Sequence, residues 1–256
     1  PIKASEAEDC KDNGIEFIEL KVAIDGLAAM TNPDNADVAC LNFEDLYAIV
    51  GPESEEFNNW SQAGALAAEL GSDTSFPDLA LTVTAPGAES GTYDTFIELA
   101  LDKILEARVE EGKVEADADG DPVASTRKDY SSQANDNAII QGIVGSVGSF
   151  GWVGYSYAVE NADSVKLIEI DGGDGCVAAT PDTIASNEYP LARDLYIYVN
   201  ADRVDGAVGE FVDFFLTDAG MAAVAEVGYV DLTGADVEAT RAVWAAKETG
   251  TRDGGS

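Results

Sequence analysis

Histidine is missing altogether from the 256 residues. Its absence removes the Ser-His-Asp and Cys-His nucleophile arrangements and the His-containing zinc sites. Positive charge is scarce: 14 Lys and Arg stand against 49 Asp and Glu, a formal net charge of −35 at pH 7. A chain this acidic is a poor partner for nucleic acid or an anionic membrane surface, and fits a protein kept soluble in a salty or external medium. No apolar run approaches the roughly 18–20 residues of a membrane span. Pro1-Ile2-Lys3 does not open a signal peptide, although a processed chain would lack one too. Cysteine is limited to Cys10, Cys40 and Cys176, far apart and without a CxxC pair. An odd count in a secreted chain suggests a missing partner; a lone reactive thiol is the other reading.

What is present is a globular composition, 46% apolar and 8% aromatic. The length allows one large or two medium domains with a sizeable core. Strand-like and helix-like stretches alternate, which is the pattern of an α/β protein. Ser5 and Glu8 form a capping-box pattern for a short helix that stops at Asn13-Gly14. Residues 15–24 read as extended, and 27–30 as a further short strand after Asp25-Gly26. A helix feeding a strand with no strand before it looks like half of a βαβ unit, so the domain is expected to begin upstream of Pro1. Helices are expected over 42–50, 65–70, 92–112, 138–144, 156–161 and 183–186. Strands are expected over 79–84, 165–170 and 195–199. From Gly206 the pattern is helical through Lys247, and the tail 249–256 should fray.

The stretch from Ala85 to Phe96 organises this reading. A β-branched run leads into Pro86-Gly87, and after Thr92 apolar residues recur at helical spacing. Ser90-Gly91-Thr92 therefore lies where a loop becomes the first turn of a helix. Backbone N–H groups there lack intrahelical partners and the helix dipole is positive, which suits an oxyanion. A capped helix with Ser90 or Thr92 as N-cap is the plainer reading of the tripeptide alone. The alternating Asp117, Asp119 and Asp121 invite a calcium loop. The EF-hand pattern needs Gly sixth and Glu twelfth, and Pro122 and Lys128 stand there, so a solvated acidic loop is expected and no metal. The glycine-rich run 145–155 matches neither GxGxxG nor a Walker loop.

Seven segments also recur in register with a known family. They are Pro1-Ile2-Lys3, Gly14-Ile15-Glu16-Phe17, Ala23-Ile24-Asp25-Gly26-Leu27, Asn32-Pro33, the run from Glu89 to Phe96, Gly154-Tyr155-Ser156-Tyr157, and the run from Glu188 to Val199. Together they resemble the substrate-binding protein of the high-affinity phosphate ABC transporter, across essentially the whole chain. The resemblance implies an α/β, two-lobed periplasmic-binding-protein fold with two crossing hinge strands. Residues 1–27 plus 194–256 would form the first lobe and 28–193 the second, with phosphate captured between them.

In such a protein Ser90, Gly91 and Thr92 would hold phosphate by hydroxyl and N–H groups. Glu89 would accept the proton that distinguishes phosphate from sulfate, and Asp136 and Asn137 would support the site from behind. No catalytic residue and no cofactor is implied. The implied partners are inorganic phosphate and a membrane permease, with no nucleic acid, and the chain is expected to be monomeric. The implied location is periplasmic or extracellular, with anchoring through an upstream segment. Two departures stand out. Pro86 occupies a position where some members carry arginine, and the family's first strand–loop–helix and an upstream Ala-Ser-Arg stretch precede Pro1. The lobe division also pairs Cys40 with Cys176 inside the second lobe, leaving Cys10 for an upstream partner. The rival readings are a phosphate-ester hydrolase with Ser90 as nucleophile, and a surface or structural protein that has kept the fold and lost the ligand.

Overall fold

The computed structural model describes residues 1–252, so part of the tail expected to fray, 253–256, lies outside the described residues. Helix α1 (Ala4–Asp12) precedes β1 (Phe17–Thr31). Its first turn is closed by Glu6, whose carboxylate accepts the Lys3 N–H at 3.0 Å, so the helix begins before Ser5 instead of being capped by it. Next come β2 (Cys40–Asn42), α2 (Phe43–Val50), α3 (Ala63–Leu70) and β3 (Thr82–Ala85). A continuous helical stretch follows: α4 (Gly91–Phe96), a π turn over Ile97–Leu101, and α5 (Asp102–Glu110). Then come β4 (Ser131–Ser132), α6 (Asp136–Val144), β5 (Ser149–Gly154) and α7 (Tyr155–Glu160). Short strands β6 (Lys166–Leu167), β7 (Glu169–Asp171) and β8 (Cys176–Val177) lead to α8 (Pro181–Ala185) and β9 (Ala192–Asn200). The described chain closes with α9 (Ala207–Phe215), α10 (Asp218–Glu226) and α11 (Gly234–Ala246).

The chain divides into two compact units. Unit 1 comprises Pro1–Asp25, Ile184–Asn187 and the residues from Arg193 on; unit 2 comprises Gly26–Thr183 and Glu188–Ala192. Strand β1 is unbroken through Asp25-Gly26, where two strands were expected. Burial on both faces of its residues explains this, since Ile24, Leu27 and Ala28 are fully enclosed and leave no room for a turn. In unit 1, α11 is tied to β1 by the Thr240 hydroxyl, which donates to the Lys21 carbonyl at 2.8 Å. Lys21 pairs with Asp194 of β9 at 2.8 Å. Glu19 is buried at 1% exposure, although its place in the sequence suggests a solvated strand face. One of its oxygens accepts the Tyr198 hydroxyl at 2.9 Å and the other the Arg252 N–H at 2.7 Å, which satisfies the carboxylate.

In unit 2 the sheet runs β4-β3-β5-β1-β6. Strands β3, β4 and β5 are mutually parallel, with Thr84 opposite Ser131 and Thr82 opposite Ser149, while β5 and β1 are antiparallel. One face carries Ala28, Met30 and Val153 and is covered by Ile139, Ile140 and Ile143 of α6 with Ala158 of α7. The other face carries Trp152, stacked on Phe96 of α4 at 4.1 Å, and Phe150 against Trp60 at 6.1 Å. The stretch 165–170, expected as one strand, divides between two sheets: β6 pairs with β1, and β7 lies between β2 and β8. Cys40 and Cys176, on the outer strands of that second sheet, form the expected disulfide, with Cα atoms 6.0 Å apart. Cys10 is a free, half-buried thiol.

Candidate functional site

The three parallel strands of unit 2 end at one edge of the sheet, and each feeds a helix there. Strand β3 leads through Pro86–Glu89 into α4, β4 through Gln133–Asn135 into α6, and β5 directly into α7. The crevice outside the carboxyl ends of parallel strands is where open α/β sheets gather ligands, because helix N-termini collect at that edge. The Gln133 N–H donates to the Ala85 carbonyl at 2.9 Å, so the β3 and β4 exits stay in register up to the point of departure.

Ser90 is the N-cap of α4. Its hydroxyl accepts the Thr92 N–H at 3.2 Å, and its carbonyl accepts from Tyr93 and Asp94. The structure thus shows the plainer reading of the triplet, with Ser90 capping the helix. Gly91 is exposed, and a Cβ built on it meets no atom within 4 Å. Packing therefore does not require glycine there. Thr92 is half-buried beside it.

Glu89 is exposed, and its carboxylate folds back over Gly87. A Cβ on Gly87 would lie 3.0 Å from Glu89 Oε1, so glycine leaves room for this arrangement. Pro86 is buried, and its carbonyl accepts the Tyr130 hydroxyl at 2.7 Å. Arg127, a few residues before β4, bonds Asp129 at 2.6 and 2.9 Å and the Phe57 carbonyl at 2.8 Å, so its charge is already matched.

At the second helix start, Asn135 is the N-cap and accepts the Asn137 N–H at 2.9 Å. Asp136 is the first helical residue, and partial desolvation raises its carboxyl above the ordinary value. Parallel pairing of β3 and β4 brings Ser90–Thr92 and Asp136–Asn137 to the same sheet edge. The sequence places the cap of this helix within residues 130–137 and its start at Ala138, two residues late, and gives no sign of the Tyr130 contact. An Asn immediately before an Asp at a helix start is a readable cap signal, whereas nothing in the sequence pairs Tyr130 with Pro86. Elsewhere, Asp117 turns its carboxylate onto its own loop, accepting the Asp119 and Asp121 N–H groups at 2.9 and 3.1 Å.

Residues 1–219 match the family model described as "PBP superfamily domain". The chain belongs to the PBP superfamily. Its similarity to solved members of the superfamily extends over nearly the whole chain. A structure titled as a possible phosphate binding protein from Planctomyces limnophilus is 31% identical, with a TM-score of 0.77 covering 97% of this chain and 78% of that one. Protein SphX of Synechococcus elongatus is 33% identical over 255 residues, covering 98% of this chain and 66% of SphX. The phosphate-binding protein PstS of Staphylococcus aureus is 30% identical over 233 residues, covering 90% of this chain and 61% of PstS. The chain thus spans less than two thirds of the length of these curated relatives. The mixed α/β architecture is that of the superfamily, as the sequence resemblance implied.

Proposed function

We propose that this protein captures inorganic phosphate outside the cytoplasm and hands it to the permease of an ABC transporter, without chemistry on the ligand. The observation that carries the reading is the helix start at Ser90-Gly91-Thr92, with a second start at Asn135-Asp136-Asn137 fed by the neighbouring parallel strand. N–H groups of the first helical turn, the helix dipole and two hydroxyls would replace the hydration shell of an oxyanion. The names of relatives such as PstS point to the same ligand. Net negative charge repels an anion at long range, but screening limits this to roughly 8–10 Å, inside which local dipoles decide. Ser90 has no histidine to activate it, which argues against ester hydrolysis.

The reading includes Glu89 as acceptor of the phosphate proton and support from Asp136 and Asn137. It includes lobes of 1–27 plus 194–256 and 28–193 that close about the two crossing strands, and a monomeric receptor. No helix among the described residues is long and apolar enough to cross a membrane. Calorimetry on the full chain tests the proposal. Phosphate should bind, and Ser90→Ala with Thr92→Ala should weaken binding by roughly 10²–10⁴ while the melt stays cooperative, as expected for two charge-assisted bonds. Unchanged affinity in the double variant removes the site assignment.

A further inference from the structure

One short segment, residues 126–130, holds the loop that delivers Ser90 to its helix. Arg127 roots the segment: its N–H donates to the Val50 carbonyl at 2.9 Å, and its guanidinium reaches the Phe57 carbonyl while gripping Asp129. Asp129 in turn accepts the Glu56 N–H at 2.8 Å. From this fixed base two side chains reach the candidate site. Thr126 Oγ1 lies 3.1 Å from the hydroxyl of Tyr93, in the first turn of α4. The Tyr130 hydroxyl donates to the Pro86 carbonyl at 2.7 Å. The Tyr130 ring lies 6.3 Å from the Trp152 ring, which stacks on Phe96, so aromatic packing sets the direction of the hydroxyl.

Pro86 is where β3 leaves the sheet. It has no N–H, and its buried carbonyl needs a donor. Beyond it the course of the loop rests on the turn closed by the Ser90 N–H and the Gly87 carbonyl at 3.0 Å. Burial first, and then the neighbouring Tyr93 and Glu89, push the Tyr130 phenol up to about 12, so it keeps its proton at neutral pH.

We propose that Tyr130 is a positioning residue of the anion site. By fixing the Pro86 carbonyl it sets the path of residues 86–90, and with it the direction in which the Ser90 hydroxyl and the first N–H groups of α4 face a ligand. The proposal rests on the phosphate reading above and names the contact on which that site's geometry depends. Its test compares parent and Tyr130→Phe, both full chain, which removes the hydroxyl and keeps the ring.

Amide exchange is measured on the ligand-free proteins, followed by titration with inorganic phosphate. In Tyr130→Phe, exchange at Ser90 and Thr92 should accelerate roughly 3- to 10-fold, as expected for one lost hydrogen bond, while Ile139–Ile143 keep the parent rate. Phosphate affinity should fall by a similar factor. Parent-like exchange at Ser90 and Thr92 overturns the proposal. So does acceleration shared equally by α6 and β5, which would make Tyr130 a general packing residue. If the parent binds no phosphate while the local acceleration is seen, the phosphate reading fails and the positioning role at this helix start stands.

Discussion

Arg108 grips both oxygens of Glu53, its Nε and one terminal nitrogen donating at 2.6 and 2.5 Å. The same guanidinium bonds Glu69 and Glu111 at 2.9 and 2.8 Å, and the Tyr47 hydroxyl donates to Glu53 at 2.8 Å. The Arg108 side chain is only 4% exposed. A buried cation left without its bidentate partner is strongly destabilising, so Glu53→Ala should cost about 3 kcal/mol in urea unfolding. Burial alone would raise the Glu53 carboxyl, but the hydrogen bonds from Arg108 and Tyr47 and the Arg108 charge outweigh it and hold it below the ordinary value. A carboxyl lowered on folding contributes stability above its unfolded pKa and loses it as pH falls through the folded one. Parent stability should therefore decline on the acid side of the ordinary glutamate range. The decline should be shallower in Glu53→Gln; identical acid profiles for the two would contradict this.

Glu89 tests ligand choice. If its carboxylate accepts the phosphate proton, Glu89→Gln narrows the preference for phosphate over sulfate near neutrality. Competition titrations giving the parent's selectivity would show that Glu89 does not carry the discrimination.

Charge makes a further demand on the fold. At −35, self-repulsion opposes compaction, and salt screens it, since the Debye length falls from about 10 Å at 0.1 M to about 3 Å at 1 M. Thermal melts should shift upward by several degrees between those two concentrations of sodium chloride. A midpoint that stays flat or falls would show that the charges are already balanced locally.

Cys40 and Cys176 are 136 residues apart in sequence. Closing so long a loop gives roughly 5 kcal/mol in the chain-entropy account, an upper figure because the reduced chain retains structure. Denatured protein should titrate with one free thiol, Cys10, before reduction and three after. Stability should fall measurably on reduction; three thiols before reduction would refute the pairing.

The class of fold and the main helices were legible in the sequence, because apolar periodicity and caps are local. The helix after Ser90, the stripe from Phe43 to Val50 and the start after Asn135 each depend on residues within a few positions of one another. The triplet 90–92 was readable for the same reason, since an N-cap and a glycine announce a helix start wherever it lies. Only tertiary structure showed that β1 runs unbroken through Asp25-Gly26, because burial from both sides overrides a turn-prone dipeptide. Only tertiary structure buried Glu19, through partners 179 and 233 residues away. It alone joined Tyr130 to Pro86 and paired the strands that lead to the Ser90 and Asn135 helix starts. Parallel pairing relates residues far apart in sequence, and no local pattern of side chains encodes which strand will be the neighbour.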